Sequence, residues 1–279
     1  MSGILVIDKP EGYTSRDVVN IVGKELGTKK IGHTGTLDPL ATGVLVLCIG
    51  KYTKLTNLLT SLDKEYIAEM KLGILTDTLD ITGTVLKQEA FHVTKMQILK
   101  TFSHFLGNYH MEVPMYSAIK VNGRKLYKYA RNGEKVSLPV KDVHIYELEL
   151  LSFYQDMVRF RCKVEKGTYI RSLIRDLAKE LGTVATMTHL VRTKQGKFRL
   201  EQAYSLEDIK NKNYQILKIK DVLDIPTYDL SDEEMKKVSN GAKIKINLES
   251  DLVLFLYHNE DVALYKREQE LYKPEVMLI

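Results

Sequence analysis

The chain has 279 residues, 44% hydrophobic and 28% charged, with a formal net charge of +5. That composition is ordinary for a globular protein with room for one large domain, or one large and one small. No apolar run approaches the roughly 20 residues of a membrane helix, and "MSGILVIDKPEG" lacks the basic region and apolar core of a secretory leader. Cys48 and Cys162 lie far apart and outside any CxxC pattern, which fits a reducing cytosol and gives no metal site. The positive balance tilts weakly toward an anionic partner such as nucleic acid.

In chain order, "ILVID" (4–8) reads as a strand stopped by Lys9-Pro10 and Gly12. "TSRDVVNIVGKELG" follows as a helix. Ser15 is its predicted N-cap, Val18, Val19, Val22 and Leu26 share one face, and Gly27 ends it. "GVLVLCIG" (43–50) is a continuous apolar strand expected to be buried on both faces. "KLTNLLTSL" (54–62) looks like a short helix, and "KEYIAEMKLG" (64–73) alternates as a strand. Thr94 and Gln97 have capping-box spacing at the start of a helix that Gly107 ends.

Residues 113–140 differ in composition. Pro114 and Pro139 bracket a segment in which Lys120, Arg124, Lys125, Lys128, Arg131 and Lys135 face only Glu134, with Tyr116, Tyr127 and Tyr129 interleaved. Lysine and arginine neutralise phosphates, and tyrosines stack on unpaired bases, so this is the best unaided sign of nucleic-acid binding. A solvated charged helix is the competing reading. Two strands follow, at 143–154 and 158–167. A helix comes next, with Ile170, Leu173, Ile174, Leu177 and Leu181 on its core face. The strand with a basic hairpin at 185–198 closes this part. Beyond Pro226 lie the short β-like pieces "AKIKI", "DLVLFLY", "DVALYKR" and "YKPEVML", read as a small β-barrel-like module. Paired strands with helices between them argue for an α+β fold with a mixed, largely antiparallel sheet.

The chemistry centres on "GHTGTLDPLATG" (32–43). It fits neither GxxxxGK[ST] nor GxGxxG, so it is neither a phosphate loop nor a dinucleotide loop. Pro39 keeps Asp38 out of the helical region. Small neighbours leave the Asp38 carboxylate accessible. Asp38 is either a turn cap through an Asx-type bond or a nucleophile, base or ligand. A metal site would need more donors than His33, and a glycosidase would need a second carboxylate. A lone carboxylate nucleophile needs a cation beside it. Arg171 stands in the first turn of a helix, where the macrodipole disfavours positive charge, so a duty beyond solvation or ion pairing is one explanation. Tyr169 lies two residues before it. Tyr66 is either a core aromatic or a stacking surface, and Leu190 is core by default.

"GHTGTLDPLATGVL" (32–45) closely resembles the catalytic motif of the bacterial tRNA pseudouridine synthase B family. "DKPEGYTS" (8–15), "KEYIAEMKLGILTDTLDITG" (64–83), "PMYSAIKVNGRKLYKYAR" (114–131), "KGTYIRSLIRDL" (166–177) and "HLVRTKQGKF" (189–198) resemble its other motifs, in the family's order. The tail resembles, loosely, the PUA-like RNA-binding module of bacterial members. The resemblance implies a pseudouridine synthase catalytic domain over 1–225, with 113–140 as an RNA-gripping thumb insertion, and a module over 226–279. It implies conversion of uridine-55 in the TΨC arm of tRNA to pseudouridine, by an enzyme in the cytoplasm with no cofactor, metal, guide RNA, membrane or obligate protein partner. Asp38 aligns with the catalytic aspartate and Arg171 with its arginine partner. Tyr66 aligns with the tyrosine stacked on the target base, Tyr169 and Leu190 with pocket-lining positions, and His33 with the histidine that helps hold the flipped-out loop. RNA contacts are expected at Lys9, Lys64, Arg124, Lys125, Lys128 and Arg131. Two rival readings stand beside this one: a synthase directed by box H/ACA guide RNA, and a non-catalytic RNA-binding protein that kept the scaffold.

Overall fold

The computed structural model describes residues 1–279. Its fold is α+β, built on a large, mostly antiparallel sheet. The chain forms two compact units. One holds residues 1–38, 44–60 and 197–279, and the other holds 39–43 and 61–196.

In the first unit, strand Gly3–Lys9 lies beside strand Thr42–Ile49, and strand Ile31–His33 pairs antiparallel with Leu47–Ile49. Helix Ser15–Glu25 presses Val18, Val19 and Val22 onto Leu5, Ile7, Leu45 and Leu47. The expected face of this helix is therefore the buried one. Its N-cap, however, is Thr14 and not Ser15. The Thr14 hydroxyl accepts from Asp17 N, and the Asp17 carboxylate accepts from Thr14 N. The Ser15 hydroxyl is committed elsewhere, to Leu37. The short helix expected at 54–62 is two pieces: a 3-10 turn over Gly50–Leu55 runs into an α-helix over Thr56–Thr60.

The tail contributes an open four-stranded sheet. Strand Thr227–Asp229 runs parallel to Leu252–Tyr257, followed by antiparallel Glu260–Glu268 and Leu271–Met277. "AKIKI" is not a strand: it offers only an Ile244–Tyr272 bridge. Helix Asp232–Ser239, not foreseen, is capped reciprocally by Ser231 and Glu234. It joins Phe255, Tyr265 and Tyr272 in one core, with the Phe255 and Tyr265 rings 4.5 Å apart. This sheet is pinned to the 3-10 turn. The fully buried Tyr52 hydroxyl donates to the buried Asp261 carboxylate, and Lys51 Nζ donates to the Asp261 carbonyl at 2.8 Å.

In the second unit, strands Ala185–Gln195, Lys64–Leu72, Met157–Val164, Val140–Tyr154 and Gly107–Glu112 lie side by side in that order, each antiparallel to its neighbours. Lys64–Leu72 alternates buried and part-buried along its whole length, as its sequence period predicts. Thr42 and Gly43 pair in parallel with Val191 and Arg192. Gly43 has φ +96°, and a Cβ there would sit 2.3 Å from the Arg192 carbonyl oxygen, so only glycine fits. Helix Lys95–His104 has the expected Thr94–Gln97 capping box and sets Phe102 edge-on to Phe160, 5.4 Å between centroids. In the basic segment, Asn122-Gly123, both at positive φ, turn a short hairpin of Lys120–Val121 with Arg124–Lys125. Helix Leu126–Arg131 follows it.

Replacing Tyr52 by Phe removes a donor from a buried carboxylate. We expect Tyr52→Phe to cost about 1–3 kcal/mol in urea unfolding. An unchanged midpoint would mean that this contact does not hold the tail.

Candidate active site and nucleic-acid interface

The acidic loop belongs to the first unit as far as Asp38, and the backbone of this part is held by two contacts. Thr34 is fully buried and its N–H donates to the Val46 carbonyl at 3.0 Å. Leu37, 3% exposed, is clasped by one hydroxyl: its N–H donates to Ser15 Oγ at 2.8 Å, and Ser15 Oγ donates to the Leu37 carbonyl at 3.2 Å. The next residue is Asp38, half-buried and outside helix and strand. The loop is therefore rooted through Leu37, one residue before Asp38. His33 ends strand Ile31–His33, and its Nδ1 accepts from Gly35 N at 3.4 Å. His33 and Asp38 thus share one anchored loop.

The second unit assembles the aromatic and cationic candidates. Tyr66 faces Cys162 on one neighbouring strand and Arg192 on the other, and Leu190 faces Ala68. Directly opposed residues of an antiparallel pair share a sheet face, so Tyr66, Leu190 and Arg192 lie on one face. They are 7%, 5% and 1% exposed. Arg192 was not singled out from the sequence. Its strand, ATMTHLVRTKQ, is mixed in polarity, and the burial of Arg192 shows only in the pairing of that strand on both sides.

Arg171 is 4% exposed. Its guanidinium donates to the Thr78 carbonyl from Nη1 at 2.9 Å and to the Tyr116 carbonyl from Nη2 at 3.0 Å. A cation at a helix start is thus partly explained: it draws together the loop between strands Ile74–Thr76 and Val85–Gln88 and the start of the basic segment. Tyr116 reinforces this, its hydroxyl donating to Asp77 at 3.2 Å. Burial, then the Asp77 charge, raise the Tyr116 pKa above the usual phenol value. Tyr169 is the N-cap residue of the helix Ile170–Glu180, half-buried, with its N–H on Met111 Sδ at 3.2 Å.

The expected RNA contacts divide into buried and exposed. Lys9 is fully buried, with Nζ donating to the carbonyls of Pro10 at 2.8 Å and Tyr13 at 2.7 Å. Lys64 is 6% exposed, and burial, with Arg192 adding like-charge repulsion, pushes its ammonium down to about 8. In the basic segment the Arg124 guanidinium lies 3.7 Å over the Tyr129 ring and is ion-paired with Glu134. Lys125 and Arg131 lie 5.7 and 5.5 Å from the Tyr127 ring centre. Lys128 and Arg131 are exposed. Cations stacked on tyrosines form a surface that can meet both phosphate and base.

Comparison with known proteins shows the family of the chain. Residues 24–170 match the N-terminal domain of the TruB family of pseudouridylate synthases, and residues 171–224 match a tRNA pseudouridylate synthase B C-terminal domain. A tRNA pseudouridine synthase B of Fusobacterium nucleatum is 44% identical over 272 residues, covering 95% of each chain. One of Lactobacillus johnsonii is 38% identical, covering 100% of this chain and 99% of its own. Among solved structures, a chain of a Cbf5-Nop10-Gar1 complex superposes with a TM-score of 0.74 at 26% identity, covering 99% of this chain and 85% of that one. The chain belongs to the TruB family of pseudouridylate synthases, and its enzyme class is isomerase. No helix is long and apolar enough to cross a membrane.

Two outcomes follow from the geometry. Ser15→Ala releases Leu37 from both bonds, and we expect pseudouridine formation to slow at least about tenfold with about 1 kcal/mol of stability lost. Full activity would show that the clasp does not position Asp38. For Lys64, the unfolded chain keeps its proton up to the ordinary 10.5, whereas the folded chain releases it near 8. Stability must rise with pH across that window. The unfolding free energy of the wild type should therefore gain on that of Lys64→Met between those two values. A constant gap in urea titrations would show that Lys64 is not held in its neutral form.

Proposed function

We propose that this enzyme acts on tRNA and isomerises uridine-55 of the TΨC arm. The observation that carries the reading is near full-length similarity to proteins named tRNA pseudouridine synthase B. In the reaction, the C1′–N1 glycosidic bond breaks, the uracil turns in the pocket, and C5 bonds to C1′. No atom is gained and nothing is oxidised, so the chemistry asks for no redox cofactor. Asp38 is the catalytic carboxylate, and Arg171 is the cation that keeps it ionised and oriented. Tyr66 stacks on the extruded base, Tyr169 and Leu190 line its pocket, and His33 supports the flipped-out loop. Extrusion costs a few kcal/mol, which phosphate and stacking contacts must offset. Arg124, Lys125, Lys128 and Arg131 of the thumb supply such contacts. Lys9 and Lys64 serve RNA binding through the loops whose carbonyls they hold.

The proposed organisation is a catalytic domain over 1–225 and an RNA-binding module over 226–279, working in the cytoplasm without guide RNA or protein partner. A guided reaction is the second reading, favoured by the likeness to a chain from a Cbf5-Nop10-Gar1 complex. The basic, tyrosine-bearing segment 113–140 supports the unguided one.

The test is incubation of the pure protein with an unmodified tRNA transcript and mapping of pseudouridine at nucleotide resolution. Modification at one TΨC uridine without added RNA is expected. Asp38→Asn should abolish it while tRNA affinity stays within a few-fold. An active Asp38→Asn variant would remove Asp38 from catalysis, and a requirement for guide RNA would favour the second reading.

A further inference from the structure

Helix Ser15–Glu25 has a second, solvent-facing side that the proposed chemistry does not use. Arg16, Asn20 and Lys24 are all exposed on it, spaced four residues apart. Residues at that spacing form a row, and the rise of 1.5 Å per residue spreads this one over about 12 Å of helix. Beside the row runs an open channel of about 480 Å³, lined also by Val19, Gly23 and Lys29. Gly23 makes the channel possible. A Cβ there would lie 2.9 Å from the Thr28 carbonyl oxygen and 3.2 Å from Ile31 Cγ2, so the bare backbone lets residues 28–31 close against the helix. The Thr28 N–H to Gly23 carbonyl bond, 2.9 Å, fixes that fold-back.

The charge of the channel has one sign. Three cations line it and no acid does. Asp17, on the same helix, spends its carboxylate on the Thr14 N–H at 2.9 Å and the Thr14 hydroxyl at 2.6 Å. Arg16 stands in the first helical turn, where the macrodipole repels it. A polyanion beside Arg16 would offset that repulsion. The apolar floor of Val19 and Ile31 suits a sugar, and the Asn20 amide can both give and accept a hydrogen bond, as a 2′-hydroxyl requires. The helix is also the element whose Ser15 clasps Leu37, one residue before Asp38. The row of cations therefore begins next to the anchor of the catalytic loop.

We propose that this channel carries the sugar–phosphate backbone of the RNA substrate, in addition to the contacts proposed for the thumb. The proposal rests on the tRNA reading above. The test compares wild type with a folded Arg16→Gln/Lys24→Gln/Lys29→Gln variant for binding of an unmodified tRNA transcript over a range of salt. We expect affinity to fall about tenfold at moderate salt, with the slope of log K against log salt shallower by about two. Turnover at saturating tRNA should not change. Asn20→Lys should do the reverse, tightening binding and steepening the slope. Unchanged affinity and slope in both variants would overturn the channel while leaving tRNA modification intact. A wild-type enzyme that neither binds nor modifies the transcript would overturn the tRNA reading, and the channel with it.

Discussion

The second unit depends on what the Arg171 guanidinium does at the start of its helix. A buried cation without acceptors would cost several kcal/mol, and here two carbonyls meet it, those of Thr78 and Tyr116. These come from loops far apart in sequence, one before the exposed hairpin strand Val85–Gln88 and one before the basic hairpin. A lysine, with a compact ammonium instead of a planar fork, would reach two such carbonyls less well. The arginine thereby organises backbone even before any substrate arrives. In the proposed chemistry it also steadies a carboxylate, and the two duties are compatible because a guanidinium has five N–H donors.

The first unit solves a different problem. A single acid in a loop rich in glycine and threonine has no regular structure to hold it. The loop is instead fixed one residue upstream, where one hydroxyl both accepts from and donates to Leu37. Helix Ser15–Glu25 is itself seated by valines on the Leu5, Ile7, Leu45 and Leu47 core. The position of Asp38 is thus inherited from hydrophobic packing, through a helix and a hydroxyl. That chain explains why Ser15 is not the cap: a serine already bonded to Leu37 leaves capping to Thr14, whose neighbour three residues on is the needed Asp17.

Much of this was legible in the sequence, because period and capping are local. The alternating strand at 64–73, the buried strand at 43–50 and the Thr94–Gln97 box all describe contacts within a few residues. The failures share a cause. Choosing between Thr14 and Ser15 needed knowledge of Leu37, twenty-two residues away. The "AKIKI" piece alternates well, yet its edge meets only Tyr272. Helix Asp232–Ser239 carries a Ser231–Glu234 capping box in its sequence, set among pieces that otherwise have the pattern of strands. Arg192 could be recognised as buried only once its strand was paired on both sides, with Lys64–Leu72 and with Thr42–Gly43.

The cations show most clearly where reading by composition stops. Sequence treats Lys9, Lys64, Lys128 and Arg131 as equivalent positive charges. The fold separates them by the water each retains. Lys9 is fully buried, and its ammonium ties Pro10 and Tyr13 into one turn. Lys64 is desolvated enough to approach neutrality at mildly alkaline pH. Neither can release counterions from an RNA backbone as a solvated charge does. Lys128 and Arg131 keep their solvent, and Arg16 and Lys24 keep theirs on the face of another helix. A net charge of +5 thus counts cations that RNA would not meet. Some of the cations are spent inside the fold, and only those that remain outside can meet a phosphate.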